Sequence, residues 1–398
     1  MPAFAFRHVK DLYPVFWRKA SESVQILTDH IHAEAAKEAA PQDAEKAGDG
    51  AEKDTATLEI GDWASRLTLD VIGVAGLGRD FGALRNPDSE LARTYSTVFK
   101  PNRQAQQLAM LSLVLPDRVV GALPIQRNND IWTARSVIRA TCRDLIREKK
   151  EKMARKERTD VDILSVALES GGFSDENLVD QLMTFLAAGH ETTASAMTWA
   201  VYLLCQHPEM QDRLRAEVRT HLPSASDDEA TIASTDVDRL PYLWAFTSEV
   251  LRYYAPVAMT QREASVATTV QGVPVAKGTR VMIAPWAINK DESTWGADAR
   301  RFDPDRWLPR FEGDKGAASG HASSNYAFMT FLHGPRGCIG INFAKAEFAC
   351  LLAAWVGRFE FRLRDEELLD ETKMDIKGGV TARPAGGLWV KVRPVEGW

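Results

Sequence analysis

The segment that decides the fold reads Phe331-Leu332-His333-Gly334-Pro335-Arg336-Gly337-Cys338-Ile339-Gly340. An apolar stretch follows directly and predicts a helix from Ile341 to Phe359. Glycines let a backbone come close to a bulky partner and adopt positive φ angles that would strain other residues. Cys338 lies just before the predicted helix, where unpaired N–H groups and the helix dipole stabilise a thiolate. The segment therefore presents one cysteine in a backbone that can lie close to a ligand.

Cys338 can be interpreted in two ways. A lone thiolate with no second Cys or His nearby does not suit zinc, which takes about four ligands. It suits a metal that a macrocycle already holds, such as haem iron, and the cation of Arg336 could then bind an anionic group beside the sulfur. Taken alone, Cys338 is more simply a buried cysteine in a glycine-rich turn, so the rest of the chain has to decide between the two.

The segment matches the pattern F-x-x-G-x-R-x-C-x-G without a mismatch, and it resembles the haem-binding signature of the cytochrome P450 monooxygenases. The resemblance implies a mainly α fold with small β-sheets, built around haem b. It also implies that the Cys338 thiolate ligates the iron and that Arg336 neutralises a haem propionate. Phe331 and Gly340 belong to the same cofactor site by their positions in the pattern.

Composition restricts the class of protein. The 398 residues are 45% hydrophobic and 26% charged, which is ordinary for a globular protein, and the net charge of −6 argues against a nucleic-acid partner. No run approaches the ~18 apolar residues of a membrane-spanning helix. The cysteines are far apart and form no CxxC pair, which argues against a disulfide scaffold: Cys142, Cys205, Cys338 and Cys350.

A second signature lies inside a long predicted helix from Ser174 to Gln206. Ser174 is a plausible N-cap, and the middle of the helix reads Ala187-Ala188-Gly189-His190-Glu191-Thr192-Thr193. One interpretation is a helix–helix contact, with small residues that allow close approach. The other is a groove left by Ala188 and Gly189, lined by the Thr192 hydroxyl and the Glu191 carboxylate, which could deliver protons to a bound oxygen species. The motif resembles the oxygen-activating element A-G-x-[DE]-T-[TS] of the same family, which implies the second interpretation.

A charge pair on a later helix has a similar ambiguity. Glu249 and Arg252 are three residues apart, and such a pair on a helix surface contributes only ~0.2–0.5 kcal/mol. The stretch Glu249-Val250-Leu251-Arg252 resembles the E-x-x-R signature of the family, in which the pair is buried and joined by an arginine. Here Arg306 matches that arginine. The resemblance implies a structural triad that holds the haem pocket.

Residues 262 to 285 alternate short strand-like segments with turns and predict a small β region. By the resemblance, Arg262 matches a family position that binds a haem propionate, and the alternative is a surface arginine at the start of a strand. Family positions also imply a substrate-lining set of small and aliphatic residues: Ala188, Val257, Ala258 and Val380. An apolar lining suggests a small hydrophobic substrate such as a terpenoid, polyketide or lipid.

The apolar run from Leu108 to Pro116 is predicted as a core segment, and the alternative is a surface that dips into a membrane interface.

Residues 1–398 are expected to form one cytochrome P450 domain. By its resemblance, the chain looks like a fungal microsomal member that lacks the first ~100 residues. Those residues would contain the membrane anchor, the first strands and the first helices. A full-length parent would lie on the cytoplasmic face of the endoplasmic reticulum membrane, whereas this chain is expected to be cytoplasmic or peripheral. The expected reaction inserts one oxygen atom from O₂ into the substrate. Electrons would come from NADPH–cytochrome P450 reductase, because no nucleotide-binding glycine fingerprint is visible.

Two other functions are compatible with the chain. Some members of the family rearrange peroxides without O₂, and the intact Glu191-Thr192 pair argues against that reaction. A truncated chain could also be a non-catalytic remnant that binds haem weakly or not at all. The monooxygenase is the expected function.

Overall fold

The computed structural model describes residues 4–38, 54–99, 103–155, 157, 162–227, 229–378 and 380–398. The chain divides into two compact units. The first comprises Met1–Leu243 and Ile339–Trp398, and the second comprises Trp244–Cys338. The predicted single domain stays a prediction.

Helices dominate the described residues, as predicted. The α-helices are α1 (Phe6–Lys10), α2 (Tyr13–Glu38), α3 (Ile60–Val71), α4 (Glu90–Phe99), α5 (Arg103–Val114), α6 (Asp117–Gly121), α7 (Gln126–Ala154), α8 (Ile163–Glu169), α9 (Asp175–Gln206), α10 (Pro208–His221), α11 (Ser234–Val237), α12 (Pro241–Tyr253), α13 (Pro285–Ile288), α14 (Glu292–Trp295) and α15 (Ile341–Arg358). A π-helical segment, Ile72–Gly76, extends α3.

The strands are short and form four small antiparallel sheets. They are β1 (Ala56–Glu59), β2 (Thr260–Glu263), β3 (Thr268–Val270), β4 (Val273–Val275), β5 (Arg280–Ile283), β6 (Phe359–Leu363), β7 (Ile376–Gly378), β8 (Ala382–Pro384) and β9 (Trp389–Pro394). The first unit contains a three-stranded sheet of order β1-β9-β6 and the hairpin β7–β8, and the second unit contains the pairs β2–β5 and β3–β4. The predicted mainly α fold with small β-sheets is confirmed.

Helix α9 is the longest element of the first unit. The Ser174 side chain accepts a hydrogen bond from Asn177 N–H at 3.3 Å, so the predicted N-cap is present. Its 32 residues correspond to ~48 Å at ~1.5 Å rise per residue. The half from Thr193 to Cys205 is buried, and α9 as a whole packs against α3, α7, α15 and β6. Helix α9 therefore passes through the core of the unit, while its first half reaches the surface.

Some predicted boundaries differ from the structure. The spacing of apolar residues from residue 8 to 40 predicts one helix. The structure has two helices there, α1 and α2, and residues 39 and 40 lie outside the described residues. The apolar pattern from Tyr95 to Leu115 also predicts a helix. The structure describes helix there up to Phe99 in α4 and from Arg103 to Val114 in α5, and residues 100–102 lie outside the described residues. Strands β1 and β6 were missed because four or five residues are too few for their alternation to stand out beside a neighbouring helix.

The apolar run from Leu108 to Pro116 lies in α5 and just after it. Leu108 is buried, but Met110 is 71% exposed, and Leu111 and Leu115 are also exposed. The core interpretation is therefore wrong for these three side chains. Among the helices of the described residues, none is long and apolar enough to cross a membrane.

Candidate active site

The Cys338 loop of the second unit is closed on itself. The Cys338 N–H donates to the Phe331 carbonyl oxygen at 2.8 Å. Between these residues the backbone is left-handed at Leu332 (φ 57°) and at Gly334 (φ 71°). Apart from Gly334 and its two neighbours, no atom of the described residues lies within 4 Å of the position of a Gly334 Cβ. The loop thus curls around a hydrogen bond and presents an open backbone surface.

The Cys338 side chain is exposed, whereas Cys142, Cys205 and Cys350 are buried. The interpretation of Cys338 as a buried cysteine is therefore wrong. The loop ends at Gly340, which is the N-cap residue of α15, so the thiol lies two residues before the cap, as predicted. The Cys338 side chain is therefore on the surface of the second unit and not in its core.

The donor set fits haem and not a bare ion. In the described part of the chain, no group of three or more His, Cys, Asp or Glu residues could hold a metal. Arg336 and Arg262 are both exposed, and Arg262 donates to Thr260 Oγ1 (3.2 Å) and to the Gln261 carbonyl oxygen (2.8 Å). An exposed thiol with exposed guanidinium groups in the same unit suits an iron macrocycle that carries carboxylates.

The structure brings Glu249, Arg252 and Arg306 together in the second unit. Arg252 donates through Nη2 to Glu249 Oε1 (2.7 Å) and through Nε to Oε2 (2.8 Å), and Arg306 Nε donates to Oε1 (3.0 Å). Both Glu249 and Arg252 are fully buried. The pair is therefore buried and not solvated at the surface. Each charge offsets part of the desolvation cost of the other.

Two groups that sequence reasoning missed complete this cluster. Trp307 Nε1 donates to Glu249 Oε2 at 2.8 Å, and the Asp303 N–H donates to Glu249 Oε1 at 2.9 Å. Both residues belong to the short segment around Arg306, so the resemblance that located Arg306 pointed to the right part of the sequence. Both oxygens of the carboxylate thus accept more than one hydrogen bond.

In the first unit, the polar part of α9 has two faces. Ala188 is exposed and Thr192 is half-buried, and the Thr192 hydroxyl donates to the Ala188 carbonyl oxygen at 2.8 Å. Gly189 faces the π-helical segment, because a Cβ on it would lie 2.9 Å from Ile72 Cδ1. The predicted groove therefore does not include Gly189. Its missing side chain instead allows the contact between α9 and the π-helical segment, and Ala188 and Thr192 form the open face.

Glu191 does not line the open face. It is only 2% exposed, and Oε1 accepts a hydrogen bond from Thr381 Oγ1 at 2.7 Å. Arg383 Nη2 lies 2.7 Å from Glu191 Oε2, a charge contact rather than an aligned hydrogen bond. Burial raises the pKa of Glu191, and the Arg383 charge and the Thr381 hydrogen bond oppose that shift. The carboxylate thus ties α9 to β8, and neither partner was recognised from the sequence.

His190, the preceding residue, is a core histidine. It is buried, and its Nε2 lies 3.3 Å from Ser65 Oγ. Burial, and secondarily the positive charge of Arg383, lower the pKa of His190 to about 3. The ring is neutral at physiological pH, so it carries no charge toward Glu191.

Sequence reasoning also missed a buried acid, Glu347 on α15. Its Oε2 accepts a hydrogen bond from Thr193 Oγ1 at 2.9 Å, and its Oε1 has no hydrogen-bond partner among the described residues. Burial raises the pKa of Glu347 well above its ordinary value, and the Thr193 hydrogen bond only partly opposes this. The folded chain therefore favours the protonated acid.

We expect Glu347→Gln to be more stable than the wild type at alkaline pH. Because the pKa of Glu347 is raised in the folded state, its contribution to stability is complete below ~4.3, the ordinary carboxyl value, and falls as pH rises, by at most ~1.4 kcal/mol per pH unit. The amide of the variant has no such proton to lose. The measurement is the urea unfolding free energy between pH 5 and 9, with the exposed Glu366→Gln as the control. A difference that stays constant with pH would contradict the assignment.

The predicted substrate-lining residues differ in exposure. Val257 and Ala258 are half-buried in the second unit, whereas Ala188 and Val380 are exposed in the first. Val380 is 70% exposed and immediately precedes Thr381, the partner of Glu191. The Glu191 contacts thus hold the chain directly after Val380.

The loop that presents the exposed Cys338 thiol, the exposed guanidinium groups and the buried E-x-x-R cluster are together typical of a haem-thiolate protein. The family model described as Cytochrome P450 matches residues 22–388, and the chain belongs to the cytochrome P450 family. Its cofactor is haem ligated by a cysteine thiolate, and its reaction class is monooxygenation.

Similar proteins agree with this assignment. Cytochrome P450 monooxygenase FUM15 of Gibberella moniliformis is 44% identical over 431 positions, which cover 99% of this chain and 70% of that protein. Cytochrome P450 monooxygenase sphH of Aspergillus fumigatus is 45% identical, with coverages of 100% and 69%. The crystal structure of the cytochrome P450DA heme domain superposes with a TM-score of 0.73 at 22% identity, over 99% of this chain and 76% of that one, and supports the fold. These relatives favour the monooxygenase over a non-catalytic remnant.

Proposed function

We propose that this protein oxidises a small hydrophobic compound of fungal secondary or lipid metabolism, with Cys338 as the haem ligand. The observation that carries the proposal is the exposed Cys338 thiol in a loop closed on Phe331. When bound, the thiolate-ligated haem supplies the activation of O₂, because the thiolate donates electron density that favours O–O cleavage. Arg336 and Arg262 would neutralise the propionates, and the open loop backbone at Gly334 leaves room for the ring.

Thr192 is proposed to hold a proton-donating water. Its hydroxyl hydrogen is used by the Ala188 carbonyl, so the oxygen lone pairs of Thr192 Oγ1 remain to accept a hydrogen bond. Glu191 is proposed to serve two purposes. It anchors α9 to β8 through Thr381 and Arg383, and it is proposed to take part in proton delivery from its position before Thr192 in the helix. Burial raises the pKa of Glu191, and Arg383 and Thr381 oppose that shift.

Ala188, Val257, Ala258 and Val380 are proposed to contact the substrate, because all four are apolar and none of them is buried. The proposed electron donor is NADPH–cytochrome P450 reductase, since the sequence contains no nucleotide-binding glycine fingerprint. For a longer parent protein we propose the cytoplasmic face of the endoplasmic reticulum membrane, which would keep it beside that reductase.

We expect Thr192→Ala to uncouple electron transfer from product formation, because no side chain would hold the proton-donating water. A general acid–base group typically contributes ~10²–10⁴-fold, so the product formed per NADPH consumed should fall at least tenfold. The measurement uses the compound that shifts the Soret band most in a panel of fatty acids, terpenoids and polyketides. Thr192→Ser, which keeps the hydroxyl, is the matched control, and unchanged coupling in Thr192→Ala would refute the assigned role.

A further inference from the structure

Asn289, directly after α13 in the second unit, is a buried polar residue with all its polar atoms in use. It is 0% exposed. Its Oδ1 accepts from the Met329 N–H (2.7 Å), and its Nδ2 donates to the Arg252 carbonyl oxygen (3.1 Å) and to Thr330 Oγ1 (2.8 Å). One amide group therefore joins the last turn of α12 to the residues that precede the Cys338 loop.

The backbone of Asn289 strengthens the same connection. Its carbonyl oxygen accepts a hydrogen bond from Arg252 Nη1 at 2.7 Å, and its N–H donates to the Pro285 carbonyl oxygen at 2.8 Å. Arg252 and Asn289 thus exchange hydrogen bonds in both directions. Because Arg252 is also held by Glu249, the amide is fixed to the buried charge cluster.

Thr330 provides a second connection at the same point. Its hydroxyl donates to the Leu251 carbonyl oxygen at 2.6 Å, and the same oxygen accepts the Asn289 amide hydrogen. The next residue is Phe331, whose carbonyl oxygen accepts the Cys338 N–H. Hydrogen bonds therefore connect α12 to Thr330, and the next residue, Phe331, is hydrogen-bonded to the backbone of Cys338.

We propose that Asn289 and Thr330 are positioning residues for the Cys338 thiolate, holding the base of its loop on the last turn of α12. Neither side chain touches the sulfur, so both act through the backbone of Met329, Thr330 and Phe331. The proposal rests on the proposed role of Cys338 as the haem ligand. Both residues lie outside the cysteine signature, and their role would be to keep the thiolate at the iron.

The chemistry of the amide makes one substitution informative. Aspartate in place of Asn289 has nearly the same shape, but it has no hydrogen to donate to the Arg252 carbonyl and the Thr330 hydroxyl. Two acceptors would then face a buried carboxylate, which is costly when unpaired. Asn289→Asp should loosen the loop strongly, and it risks lowering stability as a whole.

Thr330→Val is the sharper variant, because valine keeps the shape of threonine and removes only the hydroxyl. Thr330→Ser keeps the hydroxyl and should behave like the wild type. Thr198→Val on α9 is the matched control: Thr198 is buried, and its hydroxyl donates to the Ala194 carbonyl within the first unit. Thr198→Val therefore measures what the loss of any buried threonine hydroxyl does.

The experiment records the carbon monoxide difference spectrum of the reduced protein at equal haem content, together with hydrogen exchange of the segment 331–338. We expect Thr330→Val to lower the ratio of the strongly red-shifted Soret band to the unshifted band about three- to tenfold, the effect of one hydrogen bond. The same variant should speed exchange in the segment several-fold. Thr330→Ser and Thr198→Val should leave both quantities at the wild-type value, and Asn289→Asp should exceed Thr330→Val.

Two results would overturn the proposal. If Thr330→Val and Asn289→Asp keep the wild-type band ratio and exchange, or if Thr198→Val changes them equally, these residues do not position the thiolate. If Cys338→Ala keeps the red-shifted band, the ligand assignment fails and the positioning role fails with it. A red-shifted band that depends on Cys338 but not on Thr330 or Asn289 refutes the inference alone and leaves the proposed function intact.

Discussion

Replacing Cys338 with alanine is expected to abolish the strongly red-shifted Soret band of the reduced carbon monoxide complex. The band requires a thiolate on the iron, and Cys338 is the cysteine whose side chain is exposed, whereas the other three are buried. Product formation should be lost together with the band, because the electron density that favours O–O cleavage comes from the same sulfur.

The control for this prediction is Cys142→Ala. Cys142 is a buried cysteine of α7, so the variant removes a thiol without touching the loop. It should keep the red-shifted band at the wild-type intensity per haem. Persistence of the band in Cys338→Ala, or its loss in Cys142→Ala, would show that the ligand has been assigned to the wrong residue.

Removing the carboxylate of Glu249 is expected to lower the free energy of unfolding by ~3–5 kcal/mol. Arg252 and Arg306 both donate to Glu249, and the side chains of Glu249 and Arg252 are fully buried. Glu249→Ala leaves the buried Arg252 guanidinium without its counter-ion, and Arg306 keeps its 3.3 Å contact with Asp298 Oδ2. A buried charge that loses its partner costs far more than the net value of the pair, because its desolvation is no longer offset.

The measurement is urea unfolding followed by circular dichroism, with Asp144→Ala as the control. Asp144 and Arg147 on α7 have the same i,i+3 spacing and an Nη2···Oδ1 distance of 2.7 Å, but both are largely exposed. An exposed pair contributes about 0–1 kcal/mol, so Asp144→Ala should change stability little. If Glu249→Ala costs no more than Asp144→Ala, the triad does not stabilise the fold as proposed.

The two charge pairs show that residue spacing does not determine whether a pair is buried. Glu249–Arg252 and Asp144–Arg147 are both i,i+3 pairs of opposite charge on helices, and their spacing cannot distinguish them. The resemblance to E-x-x-R separated them correctly, because it added Arg306, a residue from a much later segment of the chain. Burial, which decides the energy of each pair, depends on what packs around the helix.

The polar stretch of α9 was only partly interpretable from the sequence. The helix itself, its Ser174 cap and the small residues at Ala188 and Gly189 were visible in the local pattern. That Gly189 faces Ile72, and that Glu191 contacts Thr381 and Arg383, was not visible, because those partners lie far away in the sequence. A carboxylate predicted to line a groove is instead buried, where it contacts Thr381 and Arg383.

The sequence by itself determined the mainly α fold and the family, because helical periodicity, caps and short glycine-rich patterns are contained in neighbouring residues. Only the tertiary structure decided which side chains are exposed and which are paired. Cys338 became an exposed thiol, Glu347 a buried acid, and Asn289 the link between α12 and the Cys338 loop. Burial and long-range hydrogen bonds arise when distant segments pack, and no local pattern of residues carries that information.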